Sequence, residues 1–111
     1  MELSVVIAII PTNQLEVVEK RLQTLNVAGI TVTRAKGYGE YTNTFARDWL
    51  SDQARVEVYA DSTRADAIAE AIIEATHTGD TSDGIVMIMP VKKAFSIRTR
   101  SETIPNRTLQ R

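Results

Sequence analysis

The sequence predicts an α+β domain of the ferredoxin-like kind, in which two helices pack on one face of a four-stranded antiparallel sheet. Two observations predict it: four short segments rich in β-branched and apolar residues, and two longer segments with apolar residues at helical spacing. These segments follow one another in the order βαββαβ, which is typical of that fold. The chain has 111 residues, the length of one domain.

The first strand and helix occupy the start of the chain. Residues 3–10, LSVVIAII, are apolar at nearly every position, which indicates a strand buried on both faces. Pro11 ends it. Asn13 and Glu16 have the spacing of a capping box, so the first helix is predicted to begin there and to run to about Asn26. Its apolar stripe consists of Leu15, Val18, Leu22 and Leu25.

Three further segments have the composition of strands. Residues 30–36, ITVTRAK, and 54–60, ARVEVYA, are rich in β-branched residues, and the second alternates so that Val56 and Val58 face inward. Residues 84–90, GIVMIMP, form the last predicted strand.

The second helix is predicted between Asp61 and Gly79. Asp61 or Ser62 is the expected N-cap, and Gly79 is the expected stop. The apolar stripe at three- and four-residue spacing consists of Ala65, Ile68, Ala69, Ile72 and Ile73.

The predicted strands carry more apolar side chains than two helices can cover. The first strand offers one face with Leu3, Val5, Ile7 and Ile9, and another with Val6, Ala8 and Ile10. A soluble monomer rarely leaves such a second face exposed. We therefore expect an obligate homo-oligomer in which sheets of several chains pack together.

Composition excludes several classes of function. With 13 Lys plus Arg against 14 Asp plus Glu, the net charge of −1 offers no field for nucleic acid. The chain has no cysteine, which excludes disulfides, thiolate metal sites and cysteine nucleophiles, and fits a reducing compartment. The apolar run at the start is too short to span a bilayer and lacks a basic leader, so we expect a cytoplasmic protein.

Two groups of residues have the character of a phosphate-binding cleft. Gly37 and Gly39 bracket Tyr38 at the end of the second strand, where glycine lets backbone N–H groups approach an anion closely. Asp83 and Gly84, just before the last strand, are expected to form the facing wall.

The stretches VAGITVTRAKGYGEY and VEVYADSTRADAIAEAIIEATHTGDTSDGIVMIMPVKKAFSIRTRSE resemble the PII signal-transduction proteins, over roughly residues 3–102. The resemblance implies a trimeric ferredoxin-like sensor that binds adenine nucleotides in clefts between subunits. It assigns residues 1–100 to the domain and residues 40–54 to the mobile T-loop. Residues 101–111 contain few apolar residues, so we expect a mobile C-terminal tail that could close over the nucleotide.

The resemblance also implies which residues line the nucleotide. Adenosine and the first phosphates would contact Thr31, Gly37, Gly39, Tyr59 and Gly84. Arg98, in the segment IRT, would reach in from a neighbouring subunit, and Arg100 is a further candidate cation.

This chain departs from the family pattern where the family has positive charge. Glu40 and Ile85 occupy positions at which the family usually has basic residues. Ser96 replaces an arginine of the family pattern, and Ser82 replaces a glycine of the loop. Polyphosphate needs compensating cations or backbone donors. We therefore expect AMP and ADP to compete well with ATP, and Glu40→Arg to favour ATP relative to AMP.

The segment EYTNTFARDWLSDQA is shorter than the usual T-loop. It also lacks the residues RGAEY that surround the modified tyrosine of the nitrogen-regulating proteins, so we do not expect Tyr41 to be modified in its place. Phe45 and Trp49 in it could form an anchor that packs either onto the body of the domain or onto a partner, such as a transporter or enzyme. Short-loop relatives suggest bicarbonate as a second ligand, with nitrogen or transporter regulation as the alternative.

A catalytic role is not expected. His77 is the only histidine, and no Ser-His-Asp set, carboxylate pair at fixed spacing or metal-ligand cluster is recognisable. A metal-tolerance trimer of the copper-homeostasis type stays open as an alternative, although Met87 and Met89 are expected to be core residues. A scaffold protein without any ligand is the third alternative.

Overall fold

The strands and helices follow the predicted order βαββαβ. The computed structural model describes residues 2–27, 29–37 and 51–102. Within them the main elements are β1 Leu3–Pro11, α1 Leu15–Thr24, β2 Thr31–Gly37, β3 Ser51–Asp61, α2 Ser62–Thr76 and β4 Ile85–Val91. In the described part of the chain these form a four-stranded antiparallel sheet in the order β2-β3-β1-β4. The prediction of an α+β ferredoxin-like fold is therefore confirmed.

One face of the sheet, which we call the helix face, packs against α1 and α2. Its side chains belong to even-numbered residues of β1 and β3, and Val6 lies opposite both Val58 and Ile88. Val56 and Val58 are buried, as predicted from their alternation. The core joins these strand residues to the helix stripes, and it contains Val6, Ala8, Ile10, Val18, Leu22, Ala54, Val56, Val58, Ala60, Ala65, Ile68, Ala69 and Ile72.

The opposite face, which we call the open face, has no helix against it among the described residues. Leu3, Val5 and Ile7 are nevertheless buried, and they belong to β1, a central strand with β3 and β4 on either side. Ile85 and Met89 of β4 are nearly half exposed. The expectation that Met89 is a core residue was therefore wrong for the single chain.

The helix ends differ from those predicted. Residues Thr12–Gln14 form a short 3-10 turn, and α1 begins at Leu15 without a side-chain cap, so the Asn13–Glu16 capping box is wrong. Asn26 lies beyond the helix with a φ of 58°. At α2, the side chain of Asp61 accepts a hydrogen bond from Thr63 N at 3.0 Å, so Asp61 is the N-cap.

The second helix ends at Thr76 rather than at Gly79. His77 already has an extended conformation, and Gly79 lies in the following loop with a φ of 88°. The apolar stripe of α2 is buried as predicted, except for Ile73, which is about half exposed.

Two boundaries of the chain differ in detail from the sequence pattern. β3 begins at Ser51, so the last four residues of the predicted T-loop belong to a strand. Ser101–Glu102, the first residues of the predicted tail, form β6 and pair with β5, Phe95–Ser96. Residues 40–50 and 103–111 lie outside the described residues.

Neither α1 nor α2, the helices of the described ranges, has the length and apolarity that crossing a membrane requires.

Candidate functional site

Gly37 and Gly84 lie at the same end of the sheet. Gly37 ends β2 opposite Ser51, while Gly84 precedes β4, whose first residue lies opposite Ile9 near the end of β1. The strands β3 and β1 lie between β2 and β4. At about 4.8 Å per strand spacing, the two glycine segments are separated laterally by about 14 Å. They border one end of the molecule but do not contact each other across it.

Gly84 must be glycine in this backbone. Its φ is +114°, and a Cβ atom placed there would lie 2.2 Å from the carbonyl oxygen of Ile9. A side chain at this position would therefore displace either the loop or β1. This close approach brings the loop before β4 directly onto the end of the central strand.

Residues 77–84, which we call the 77–84 loop, are organised around the carboxylate of Asp83. That carboxylate accepts hydrogen bonds from Thr78 N at 2.8 Å, from Gly79 N at 2.9 Å and from the hydroxyl of Thr78. His77 Nδ1 lies 3.6 Å from Asp83 Oδ2. The bonds from the Thr78 hydroxyl and backbone hold the pKa of Asp83 below its usual value. The hydrogen bonds to the Asp83 carboxylate therefore hold the conformation of the loop.

A second acidic residue completes the local order of this loop. Asp80 Oδ1 accepts from Ser82 N and from the Thr81 hydroxyl, both at 3.3 Å, and Asp80 N donates to the Thr78 hydroxyl at 3.2 Å. The polar side chains of the loop thus bond mainly to the loop itself.

A cavity of about 570 Å³ lies at this end of the sheet, between the turn after β1, the start of β3 and the 77–84 loop. Its wall carries the carboxylates of Asp52, Asp80 and Asp83, and no basic residue is among the described residues that line it. A smaller neighbouring cavity of about 280 Å³ includes Arg34 and again Asp52. The larger cavity is therefore polar and negatively charged.

The predicted residues Thr31 and Tyr59 lie on the open face, beside a polar strip on β3. Tyr59 donates its hydroxyl to Glu57 Oε2 at 3.3 Å, and Arg55 Nε lies 3.5 Å from Glu57 Oε1. Thr31 is opposite Glu57 in the strand register. Partial burial and the neighbouring Glu57 carboxylate raise the pKa of Tyr59.

Sequence reasoning missed Arg55 and Glu57 as members of this strip. The signal was available, because the alternation that turns Val56 and Val58 inward places residues 55, 57 and 59 together on the other face.

Arg98 and Arg100 lie in the hairpin of β5 and β6, which leaves the sheet at the opposite end from Gly84. β4 runs from Ile85, opposite Ile9, to Val91, opposite Leu3. At about 3.4 Å per residue, its length is about 20 Å. Both arginines are exposed, and Arg100 N donates to Ser96 O at 2.8 Å in the hairpin turn. One chain thus brings Gly37, Asp83 and Gly84 to one end of the sheet and the arginines to the other.

Some of the predicted site cannot be placed. Tyr38, Gly39 and Glu40 lie outside the described residues, as do Phe45 and Trp49 of the predicted T-loop. Among the residues that are described, no group of three His, Asp or Glu side chains is arranged to hold a metal ion.

Comparison with known proteins agrees with this architecture. Residues 3–101 match the family described as nitrogen regulatory protein P-II. The chain is similar to the nitrogen regulatory protein P-II of Cyanidium caldarium, with 33% identity over 87% of this chain and 92% of the relative. It is also similar to that of Rhizobium meliloti, with 35% identity over 83% and 88%.

A solved structure, described as Arabidopsis thaliana PII bound to citrate, has the same fold. Its TM-score is 0.76 at 22% identity, and the match covers 91% of this chain and 85% of that one. The fold is that of a ferredoxin-like α+β domain. The chain belongs to the P-II family, whose members are described as nitrogen regulatory proteins.

Proposed function

We propose that the protein senses adenine nucleotides at clefts between the subunits of a homotrimer, and that it favours AMP and ADP over ATP. One observation carries this proposal most strongly. Among the candidate residues of a single chain, Gly37 and Gly84 lie at one end of the sheet and Arg98 lies beyond the other. A site that uses all of them needs residues from two chains.

The open face supports the assembly that such a site requires. It carries the buried Leu3, Val5 and Ile7, bordered by the half-exposed Ile85 and Met89. Packing this face against other copies would remove apolar surface from water, at about 25 cal/mol per Å². The polar strip of β3 adjoins the apolar part, since Tyr59 lies opposite Val5.

The negative charge of the cavity of about 570 Å³ supports the proposed preference for nucleotides with fewer phosphates. Asp52, Asp80 and Asp83 form part of its wall, and each phosphate added to a nucleotide brings further negative charge toward them. Repulsion between like charges disfavours ATP most unless cations compensate. Glu40, outside the described residues, would add to the same effect.

The proposed output is a change in order of the T-loop, residues 40–54, or of the tail, residues 101–111. A nucleotide shifts the population toward whichever arrangement it binds better, by no more than its differential affinity. Through this change the protein would regulate a transporter or enzyme in the cytoplasm, with bicarbonate as a second ligand.

Calorimetry of the purified protein with AMP, ADP and ATP, each with and without bicarbonate and magnesium, tests this function. We expect AMP and ADP to bind at least as tightly as ATP, and proteolysis of the T-loop or tail to slow when nucleotide is bound. Failure of all three nucleotides to bind would refute the sensor. Binding with unchanged proteolysis would refute the switch alone.

Arg98→Ala tests the contribution of the second subunit. Loss of a charge-assisted contact to phosphate is expected to weaken the binding of AMP and ADP by about 1.5–3 kcal/mol. Arg21→Ala is the matched control, because Arg21 bonds to Glu74 at 3.1 Å on the helix layer. Equal effects of the two variants would mean that Arg98 acts only through the net charge.

Regulation of nitrogen metabolism is the second candidate function, since the similar proteins of Cyanidium caldarium and Rhizobium meliloti are nitrogen regulatory proteins. The bicarbonate arm of the calorimetry separates the two contexts. If bicarbonate changes neither nucleotide affinity nor proteolysis, nitrogen or transporter regulation is favoured. A parallel titration with Cu²⁺ tests the metal-tolerance alternative.

A further inference from the structure

The 77–84 loop has an internal order that nucleotide binding alone does not explain. Its eight residues are mostly exposed, so apolar burial contributes little to their order. The loop contains two glycines with positive φ, Gly79 and Gly84, which widen the choice of backbone conformations in the absence of other constraints. What closes the loop is the set of hydrogen bonds between Asp83 and the residues that follow α2.

We propose that Thr78 and Asp83 form a clamp that holds the 77–84 loop in its phosphate-binding shape, so that both are positioning residues for the phosphate rather than contacts to it. The inference rests on the proposed function, because it assigns these residues a part in the same nucleotide site. It deepens that function by separating the residues that shape the loop from the backbone that faces the ligand.

The contacts of Thr78 are the first argument for the clamp. Its backbone N and its hydroxyl both donate to the Asp83 carboxylate, across a five-residue separation. The same hydroxyl accepts from Asp80 N at 3.2 Å. One side chain therefore connects the start, the middle and the end of the loop.

The orientation of Asp83 is the second argument. Its two oxygens accept from Thr78 and Gly79, and His77 Nδ1 lies 3.6 Å away. A carboxylate that accepts several donors of its own loop holds those donors in a fixed arrangement. The residue after Asp83 is Gly84, whose backbone lies against Ile9, so the clamp also sets where the chain enters β4.

The energetic consequence follows from the cost of ordering a loop. Fixing backbone dihedrals costs conformational entropy, and a loop that is already ordered spares the ligand that cost. Loss of the clamp is therefore expected to weaken the binding of ligands that carry phosphate. The affinity for adenosine, which has no phosphate, is expected to stay unchanged.

Thr78→Val is the principal test, because valine keeps the shape of threonine and removes its hydroxyl. Adenosine, AMP and ADP are each titrated by calorimetry against the wild type, Thr78→Val, Thr78→Ser and Asp83→Asn. We expect Thr78→Val to weaken AMP and ADP about fivefold, as the loss of about 1 kcal/mol of hydrogen bonding would. Adenosine affinity is expected to be unchanged, and Thr78→Ser is expected to restore the wild-type affinities.

Asp83→Asn should have the larger effect, about tenfold or more for AMP and ADP, because a neutral amide cannot replace the charge-assisted hydrogen bonds that the carboxylate accepts from Thr78 and Gly79. Thr81→Val is the control within the same loop, since the Thr81 hydroxyl donates to Asp80 only weakly, at 3.3 Å. It should leave all three affinities unchanged. Circular dichroism of each variant checks that the fold is retained.

The outcomes separate the clamp from the function on which it rests. If the wild type binds none of the three ligands, the proposed nucleotide site fails, and the clamp fails with it. If the wild type binds but Thr78→Val leaves AMP and ADP unchanged, or weakens adenosine equally, the clamp is refuted while the nucleotide site stands. Failure of Thr78→Ser to restore binding would likewise count against a role for the hydroxyl.

Discussion

The two faces of the sheet are built from the same strands but have different chemistry. On β3, Val56 and Val58 of the helix face are almost fully buried, whereas Tyr59 of the open face is 41% exposed. The helix face is complete within one chain, because α1 and α2 cover it. The open face combines an apolar part on β1 and β4 with the polar strip of Arg55, Glu57 and Tyr59 on β3.

This difference separates the residues that stabilise the fold of one chain from the residues that are available for oligomer assembly and ligand binding. Changes on the helix face should act on the free energy of unfolding of each chain. Changes at the exposed border of the open face should act on assembly, since their side chains still reach water in one chain. The variants below test that division.

Ile72→Ala should have the largest effect on folding. Ile72 is fully buried between α2 and the helix face, so its truncation leaves a cavity and is expected to lower the free energy of unfolding by about 2–5 kcal/mol. Ile73→Ala is the control, because the neighbouring Ile73 is 49% exposed. Urea unfolding measures both, and equal losses would contradict the assignment of the core to this stripe.

Met89→Glu should separate assembly from folding. Met89 lies on the open face of β4 and is 48% exposed in the single chain, so a charge there costs the isolated chain little. In an assembly through this face the carboxylate would be buried, which is strongly unfavourable. We expect at least a tenfold weaker association in analytical ultracentrifugation.

Val17→Glu is the matched control for that experiment. Val17 is exposed to a similar extent, but it lies on α1, in the helix layer. It should leave the oligomer intact. A well-folded wild-type monomer at micromolar concentration, or dissociation by both variants alike, would contradict assembly through the open face.

The helix face was predictable from sequence because burial there follows local periodicity. The spacing of Ile68 and Ile72 identified the buried side of α2, and alternation identified Val56 and Val58. The end of α2 was not predictable in the same way. It depends on Asp83, whose bonds to Thr78 and Gly79 close the loop in which the expected stop, Gly79, lies.

The candidate site was predictable only in part. Gly84 could be identified from its place just before the last strand and from the family resemblance, whereas its close approach to Ile9 is visible only in the structure. The strip of Arg55 and Glu57 is hidden in a strand whose neighbours in sequence point the other way. The separation of Arg98 from Gly84 depends on topology, which becomes apparent only when β4 is placed antiparallel to β1.

Asp61→Ala tests whether the helix layer depends on capping as well as on burial. Asp61 is the last residue of β3, and its carboxylate accepts from the backbone N and the hydroxyl of Thr63 at the start of α2. Its loss is expected to lower the free energy of unfolding by about 1 kcal/mol. Asp66→Ala, at an exposed position within α2, is the control, and a larger loss there would exclude capping as the cause.

Tyr59→Phe should have the smallest effect, and only at high pH. Desolvation and the nearby Glu57 carboxylate raise the pKa of Tyr59 above its ordinary value of about 10. A raised pKa means that the folded state favours the neutral phenol. The resulting stability is fully present below about pH 10, the pKa of the unfolded chain, and is lost as pH rises through the folded pKa.

The urea midpoint of the wild type should therefore fall through that alkaline range more steeply than the midpoint of Tyr59→Phe, while near neutral pH the two proteins should differ little. Glu57→Gln offers the complementary measurement, because it removes the charge and keeps a hydrogen-bond acceptor for the Tyr59 hydroxyl. It should shift the tyrosinate absorbance titration of Tyr59 to lower pH. Identical alkaline curves for the wild type and Tyr59→Phe would mean that the polar strip of the open face is not coupled to folding, which would sharpen the division between the two faces of the sheet.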